Sequence, residues 1–151
     1  MKLLSAAFTH GGKIPAIYTC DGKNISPPLT ITDIPPKAKS LVLIMDDPDV
    51  PKTIRPDGMC DHWIIFNIPT NTRELLEGKN PQGILGTNTR GGLSYGGPCP
   101  PDREHRYFFK LYALDTFLKL QEGATKKDVE EAMDNHIIAK TELIGLYERR
   151  R

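Results

Sequence analysis

Three apolar stretches of the chain sort their side chains with a period of two. In Ser40–Asp47, SLVLIMDD, one parity holds Leu41, Leu43, Met45 and Asp47, and the other holds Val42, Ile44 and Asp46. Residues 62–68, HWIIFNI, set His62, Ile64, Phe66 and Ile68 against Trp63, Ile65 and Asn67. In His105–Leu114, HRYFFKLYAL, the residues His105, Tyr107, Phe109, Leu111 and Ala113 share a face. Successive side chains of a β-strand point to opposite faces, so each stretch predicts a strand with at least one face turned to the core. Leu29–Thr32 and residues 141–148 are weaker strand patterns. The apolar start, residues 1–8, also reads as a strand. It ends at Thr9-His10-Gly11-Gly12-Lys13 with no small-residue cleavage site, which a secretory leader would need.

Helical spacing occurs once near the end. Thr125 is placed to cap a helix with Asp128 three residues on, and Val129, Ala132, Met133, His136 and Ile137 then fall on one stripe. His136 on that stripe reads as a packed or rim histidine. Residues 71–77 predict a short helical turn. Pro and Gly clusters at 26–28, 35–36, 48–58, 78–97 and 98–101 separate these elements, because they break helices and central strands alike. All 13 prolines lie at or before Pro101, so the first two thirds should be turn-rich and strand-built. The prediction is a mainly β, α+β fold in a single domain over residues 1–151, with mixed strand connectivity and a C-terminal helix.

Composition narrows the function classes. A net charge of +1, from 20 basic and 19 acidic residues, argues against a diffuse basic field for nucleic acid. No apolar run approaches the roughly 20 residues of a membrane span. Cys20, Cys60 and Cys99 are odd in number and widely spaced, which does not suggest a disulfide framework. The expectation is a cytoplasmic protein with reduced thiols and a solvated Arg149-Arg150-Arg151 tail.

The candidate chemistry lies at strand ends beside proline-rich turns. Asp47 continues the apolar parity of Leu43 and Met45, then meets Pro48-Asp49-Val50-Pro51. His62 opens its strand after Asp61. His105 and Tyr107 follow Gly97-Pro98-Cys99-Pro100-Pro101 on one face. Taken singly, each has an ordinary structural explanation: an Asp-Pro turn, a buried hydrogen-bonded histidine, a packed tyrosine. Converging, they would make a small concave site whose imidazole and phenol groups suit phosphate or another small oxyanion. Rival uses are a zinc site from Cys60, His62, Cys99 and His105, and Cys99 as a nucleophile with His105 or His62. There is no C-x-x-C, P-loop, G-x-S-x-G or G-x-G-x-x-G pattern.

These motifs, Asp47-Pro48-Asp49-Val50-Pro51, Gly58…His62-Trp63…Asn67-Ile68-Pro69 and Gly97-Pro98-Cys99-Pro100-Pro101…His105-Arg106-Tyr107, resemble the phosphatidylethanolamine-binding protein family. They are most similar to its bacterial and archaeal, Raf-kinase-inhibitor-like branch. Tyr18-Thr19-Cys20-Asp21-Gly22 and the ending 136–147 fit that branch too. The resemblance implies a large central β-sheet with a smaller sheet packed on it and an anion pocket at one end of the large sheet. It implies pocket residues Asp47, His62, His105 and Tyr107, with Pro48, Pro98, Pro100 and Pro101 as walls. It further implies a phosphate-bearing small molecule or phosphorylated protein as ligand, a kinase or protease as inhibited partner, and a homodimer as an assembly to expect. No cofactor, metal or general catalytic reaction is implied. A hydrolase or metalloenzyme built on Asp47, His62, His105 and Tyr107 is the alternative. Val50 stands for the usual alanine, Ile31 for a common tryptophan and Arg103 for the usual glycine. Arg103 is expected to add a cation near the pocket mouth.

Overall fold

Residues 1–150 are described by a computed structural model. Among these residues, two sheets, one α-helix and a short 3-10 turn at Ala16–Tyr18 make up the regular structure. The large sheet runs β2(Gly12–Lys13)-β9(Ile137–Tyr147)-β8(His105–Leu114)-β4(Ser40–Asp47)-β5(Cys60–Ile68)-β7(Ile84–Leu85). All its pairings are antiparallel except β2 with β9. The small sheet is β1(Lys2–Leu4)-β3(Leu29–Thr32)-β6(Glu74–Leu75). The expected fold, a mainly β architecture with a smaller sheet packed on a larger one, is the fold observed.

Parity explains the layers. Leu41, Leu43 and Met45 of β4 join Phe109 and Leu111 of β8 and Leu143 of β9 in a core shared with Leu3, Leu29, Ile31 and Leu75 of the small sheet. Val42 and Ile44, on the other parity, pack with Ile64, Phe66, Leu118, Val129 and Met133 under the helix α1(Lys126–Met133). All eight residues of β4 are buried, because both of its faces are covered. Truncating a fully buried aromatic such as Phe66 to Ala would cost about 3–5 kcal/mol.

Several expectations are corrected. Helix α1 has the predicted capping box: Thr125 Oγ1 accepts from the Asp128 N–H and Asp128 Oδ2 accepts from the Thr125 N–H. It ends at Met133, however, short of His136 and Ile137. Asn135 takes a left-handed φ of 66° and turns the chain, so Ile137 opens β9 instead of extending the stripe. His136, half-buried, holds Asp115 through Nδ1 at 2.8 Å. Residues 71–77 hold no helical turn but the edge strand β6, which extends the small sheet through β3.

Cys20 and Cys99 form a disulfide across 79 residues, which overturns the expectation of three reduced thiols; Cys60 is the free cysteine. The bond joins two segments already docked together. Cys20 N–H donates to the Pro98 carbonyl, Tyr95 Oη donates to the Tyr18 carbonyl, and Gly97 N–H donates to Asn24 Oδ1. A Cβ at Gly97 would run into Asn24 and the Tyr18 carbonyl, so the approach requires glycine there. Arg149 is likewise not a free tail residue, since its guanidinium pairs with Asp21; Arg151 lies outside the described residues.

Candidate functional site

The parity of β5 differs from simple alternation, and the difference builds the site. Met45 pairs with Trp63, but Asp46 pairs with Asp61, so His62 is an extra residue in a β-bulge. A second shift between Leu41 and Leu43 adds another residue near Asn67, whose φ is 54°. His62 therefore lies over the inter-sheet side together with Trp63 and Ile65, while Ile64 and Phe66 face the helix. The expected grouping of His62 with Ile64 and Phe66 is corrected on this ground, while the second shift returns Ile68 to the inter-sheet side.

At this end of the sheet a cavity of about 410 Å³ opens. Asp47, His62, His105 and Tyr107 all line it, with Pro100, Pro101, Cys60 and Cys99. Val50, Ile54, Arg55, Thr89 and Arg90 complete the lining, and Ile54 and Arg90 are exposed at the rim. Pro48 and Pro98 lie outside the lining. Pro48 stiffens the turn in which Asp47 Oδ1 accepts the Asp49 N–H at 2.8 Å, and Pro98 gives its carbonyl to Cys20.

The polar groups divide into engaged and free. His105 Nδ1 lies 2.7 Å from Asp47 Oδ2, and its Nε2 lies 2.6 Å from Asp102 Oδ1. Both ring nitrogens are thus taken up by carboxylates, and Asp102 is held below the ordinary carboxylate range by this hydrogen bond. The turn is clamped to β8 by Asp49, whose carboxylate receives Arg106 Nε at 2.9 Å and Nη2 at 2.8 Å. That pairing lowers the Asp49 pKa.

His62 and Tyr107 are different. His62 Nδ1 sits 2.6 Å from the Gly96 carbonyl, and the Gly96 N–H returns a bond to the His62 carbonyl at 3.0 Å. His62 Nε2 and Tyr107 Oη are buried without a well-formed hydrogen bond in the protein, and Tyr107 Oη has the Asp47 carboxylate beside it. Burial pushes the His62 pKa down. Burial, then the Asp47 charge, pushes the Tyr107 phenol far up. The His62 ring meets Tyr107 edge-on at 5.4 Å between centroids, which fixes both polar tips relative to the cavity.

The sequence between residues 4 and 148 matches the family profile described as phosphatidylethanolamine-binding protein. The chain belongs to the phosphatidylethanolamine-binding protein family. It is 52% identical to a UPF0098 protein of Chlamydia pneumoniae over 149 residues, covering 99% of each chain. Among solved structures it is similar to CT736 of Chlamydia trachomatis, a phosphatidylethanolamine-binding protein homolog, with a TM-score of 0.95 and 51% identity over 98% of this chain and 97% of that one. YbcL of E. coli, described as a new member of the mammalian family, matches with a TM-score of 0.88 and 28% identity over 99% and 98%.

Where this family member departs from the common pattern, the geometry gives the consequence. Val50 lines the cavity, and Ile31 is wholly buried between the sheets. Arg103 lies outside the cavity lining. Its guanidinium donates to the carbonyls of Glu104 and Asp49, and it helps line a neighbouring hollow with Asp102 and Arg149. Its charge thus stands beside the pocket, against Asp102 and the Asp49 turn, and not on the cavity wall. Its backbone is not left-handed, so the usual glycine is replaced without a special angle. The considered zinc set loses Cys99 to the disulfide and both His105 nitrogens to carboxylates, and Cys99 is no free nucleophile.

The cations that do line the cavity, Arg55 and Arg90, were not singled out from sequence. Arg55 holds the Met59 carbonyl through Nε. Arg90 rides on a loop folded around Asn88, whose Oδ1 accepts from the Arg90 and Gly92 N–H groups. The available signal was their place inside the Pro/Gly segments that adjoin the pocket motifs. No membrane-length apolar helix occurs among the described residues.

Proposed function

We propose that this chain is a binding protein for phosphomonoester-like anions and that it works by recognition. One observation carries the reading: two buried polar tips without a well-formed hydrogen bond, His62 Nε2 and Tyr107 Oη, face a cavity whose lining includes two arginines. Unpaired buried polar atoms are costly and point to a group that completes them. The roles within the predicted quartet shift accordingly. His62 and Tyr107 meet the ligand, while Asp47 orients His105 and braces the turn. Arg55 and Arg90 supply the positive field.

A phosphorylated small molecule or a phosphorylated protein fits this site, including a kinase or protease captured and held inactive. The hydrolase alternative has less support, because the His105 imidazole is tied on both sides and burial keeps the Cys60 thiol protonated. A cytoplasmic site of action and a homodimer belong to the same proposal. The disulfide counts against the first, since reducing cytosol keeps most thiols unpaired.

The test is calorimetric titration with phosphoethanolamine, phosphoserine and phenyl phosphate on wild type, Tyr107→Phe and Arg90→Ala. Affinity should fall about tenfold in each variant, as for loss of a hydrogen bond to a charged group. Absence of binding by wild type, or turnover of phosphate or acyl esters abolished in Tyr107→Phe, would replace this reading with another.

A further inference from the structure

We infer that the pocket selects tetrahedral anions that can bring a proton, and so admits phosphate monoesters and rejects sulfate monoesters of the same shape. The inference rests on the anion-binding function proposed above and specifies its ligand class.

The tautomer of His62 is set by the loop. A carbonyl only accepts, so the Nδ1 atom 2.6 Å from Gly96 O carries the hydrogen. The Gly96 N–H bond back to the His62 carbonyl makes the pair reciprocal, and turning the ring would break it. In the neutral imidazole Nε2 then presents a lone pair to the cavity, and nothing in the protein donates to it. Burial favours that neutral form.

The carboxylate and the second imidazole of the floor are committed. Asp47 uses one oxygen for the Asp49 N–H and the other for His105, and His105 has no free nitrogen. Among the buried tips, an occupant therefore meets the Tyr107 hydroxyl as donor and His62 Nε2 as acceptor, with Arg55, Arg90, Thr89 and the Cys60 thiol in the surrounding lining.

A phosphate monoester satisfies this set. Its P–O–H donates to His62 Nε2, and its remaining oxygens accept from Tyr107 and the arginines. The dianion with imidazolium has the same proton count. The second ionisation of such esters lies near pH 6, so at pH 7.5 the free ligand is mostly dianion. Binding then takes up close to one proton. A sulfate monoester carries no proton in water near neutrality, and its oxygen would face the bare nitrogen. The charged groups around His62 are Asp47 from β4, Asp61 from its own strand and Arg90 from the 86–97 loop. The two carboxylates favour a bound proton and the arginine opposes it, while Cys60 and Tyr107 on the same cavity are neutral.

The experiment is isothermal titration of the wild-type protein with phenyl phosphate and phenyl sulfate at pH 7.5, each in two buffers of different ionisation enthalpy. The expected result is at least about tenfold tighter binding of the phosphate ester, with uptake of close to one proton. His62→Gln, whose amide can donate, should narrow the preference and abolish the uptake. Equal affinities, or a phosphate preference without proton uptake, would overturn the inference and leave the anion site standing, since charge alone would then explain the preference. Binding of neither ester would overturn the functional reading and the inference together.

Discussion

At the scale of single residues, His62 links the site to acid sensitivity. Its folded pKa lies below the ordinary value of about 6.5 because the ring is buried. As pH falls, the unfolded chain therefore takes the proton first. The stability that neutral His62 provides is complete above about pH 6.5 and declines as pH drops below it. His62→Gln should flatten this part of the stability profile, read by urea unfolding between pH 5 and 8. An unchanged slope would mean that the ring is not held neutral. Asp47, His105 and Tyr107 were legible from parity alone, because β4 and β8 run without interruption into the cavity. His62 lines the same cavity, yet from a face other than the one simple alternation gave it. Arg55 and Arg90 were illegible, since irregular loops carry no period and their direction is decided by turns such as the one around Asn88.

At the scale of elements, the bulge in β5 has a support on the far side of the sheet. Asp46 and Asp61 stand opposite each other across β4 and β5, a like-charged pair. Lys126, the first residue of α1, bridges them, with Nζ 2.8 Å from Asp61 Oδ1 and 3.2 Å from Asp46 Oδ2. Lys110 adds a second cation to Asp46 at 3.0 Å. Their neighbours in sequence, Asp47 and His62, are the pocket residues. Lys126→Met should cost about 1–2 kcal/mol, since it leaves the half-buried Asp61 carboxylate without its cation while Lys110 still pairs Asp46, and should shift the imidazole nitrogen resonances of His62. Lys126→Arg should restore both. A Lys126→Met protein with wild-type stability would show that the bridge is dispensable. No period in the sequence reveals a bulge, because it is a mismatch between two strands and belongs to neither alone. The two-residue strands β2, β6 and β7 escape sequence analysis for a related reason: they are too short to show alternation, and neighbouring strands define them.

At the scale of the molecule, the layered architecture was readable because β4, β5 and β8 hold most of the buried apolar surface, and burial drives the fold. The disulfide was not readable. Counting cysteines weighs frameworks of many bridges, whereas this single bridge joins residues brought together by the docking of the 16–24 and 95–101 segments. Closing so long a loop should stabilise the chain by about 2–4 kcal/mol. Reduction, or Cys20→Ser with Cys99→Ser, should lower the melting temperature by several degrees. An identical melt for the oxidised and reduced forms would count against the bridge as a stabilising element.

The complete burial of β4 has a consequence for motion. Amides of a strand covered on both faces exchange with solvent only when the whole domain opens, whereas those of surface loops exchange through small local openings. Asp47 hangs from the first kind of backbone, and Gly96 and Arg90 from the second. In deuterium-labelling terms, one wall of the pocket is permanent and the other breathes, so an occupant should slow exchange in the 86–101 loop and leave β4 as silent as before.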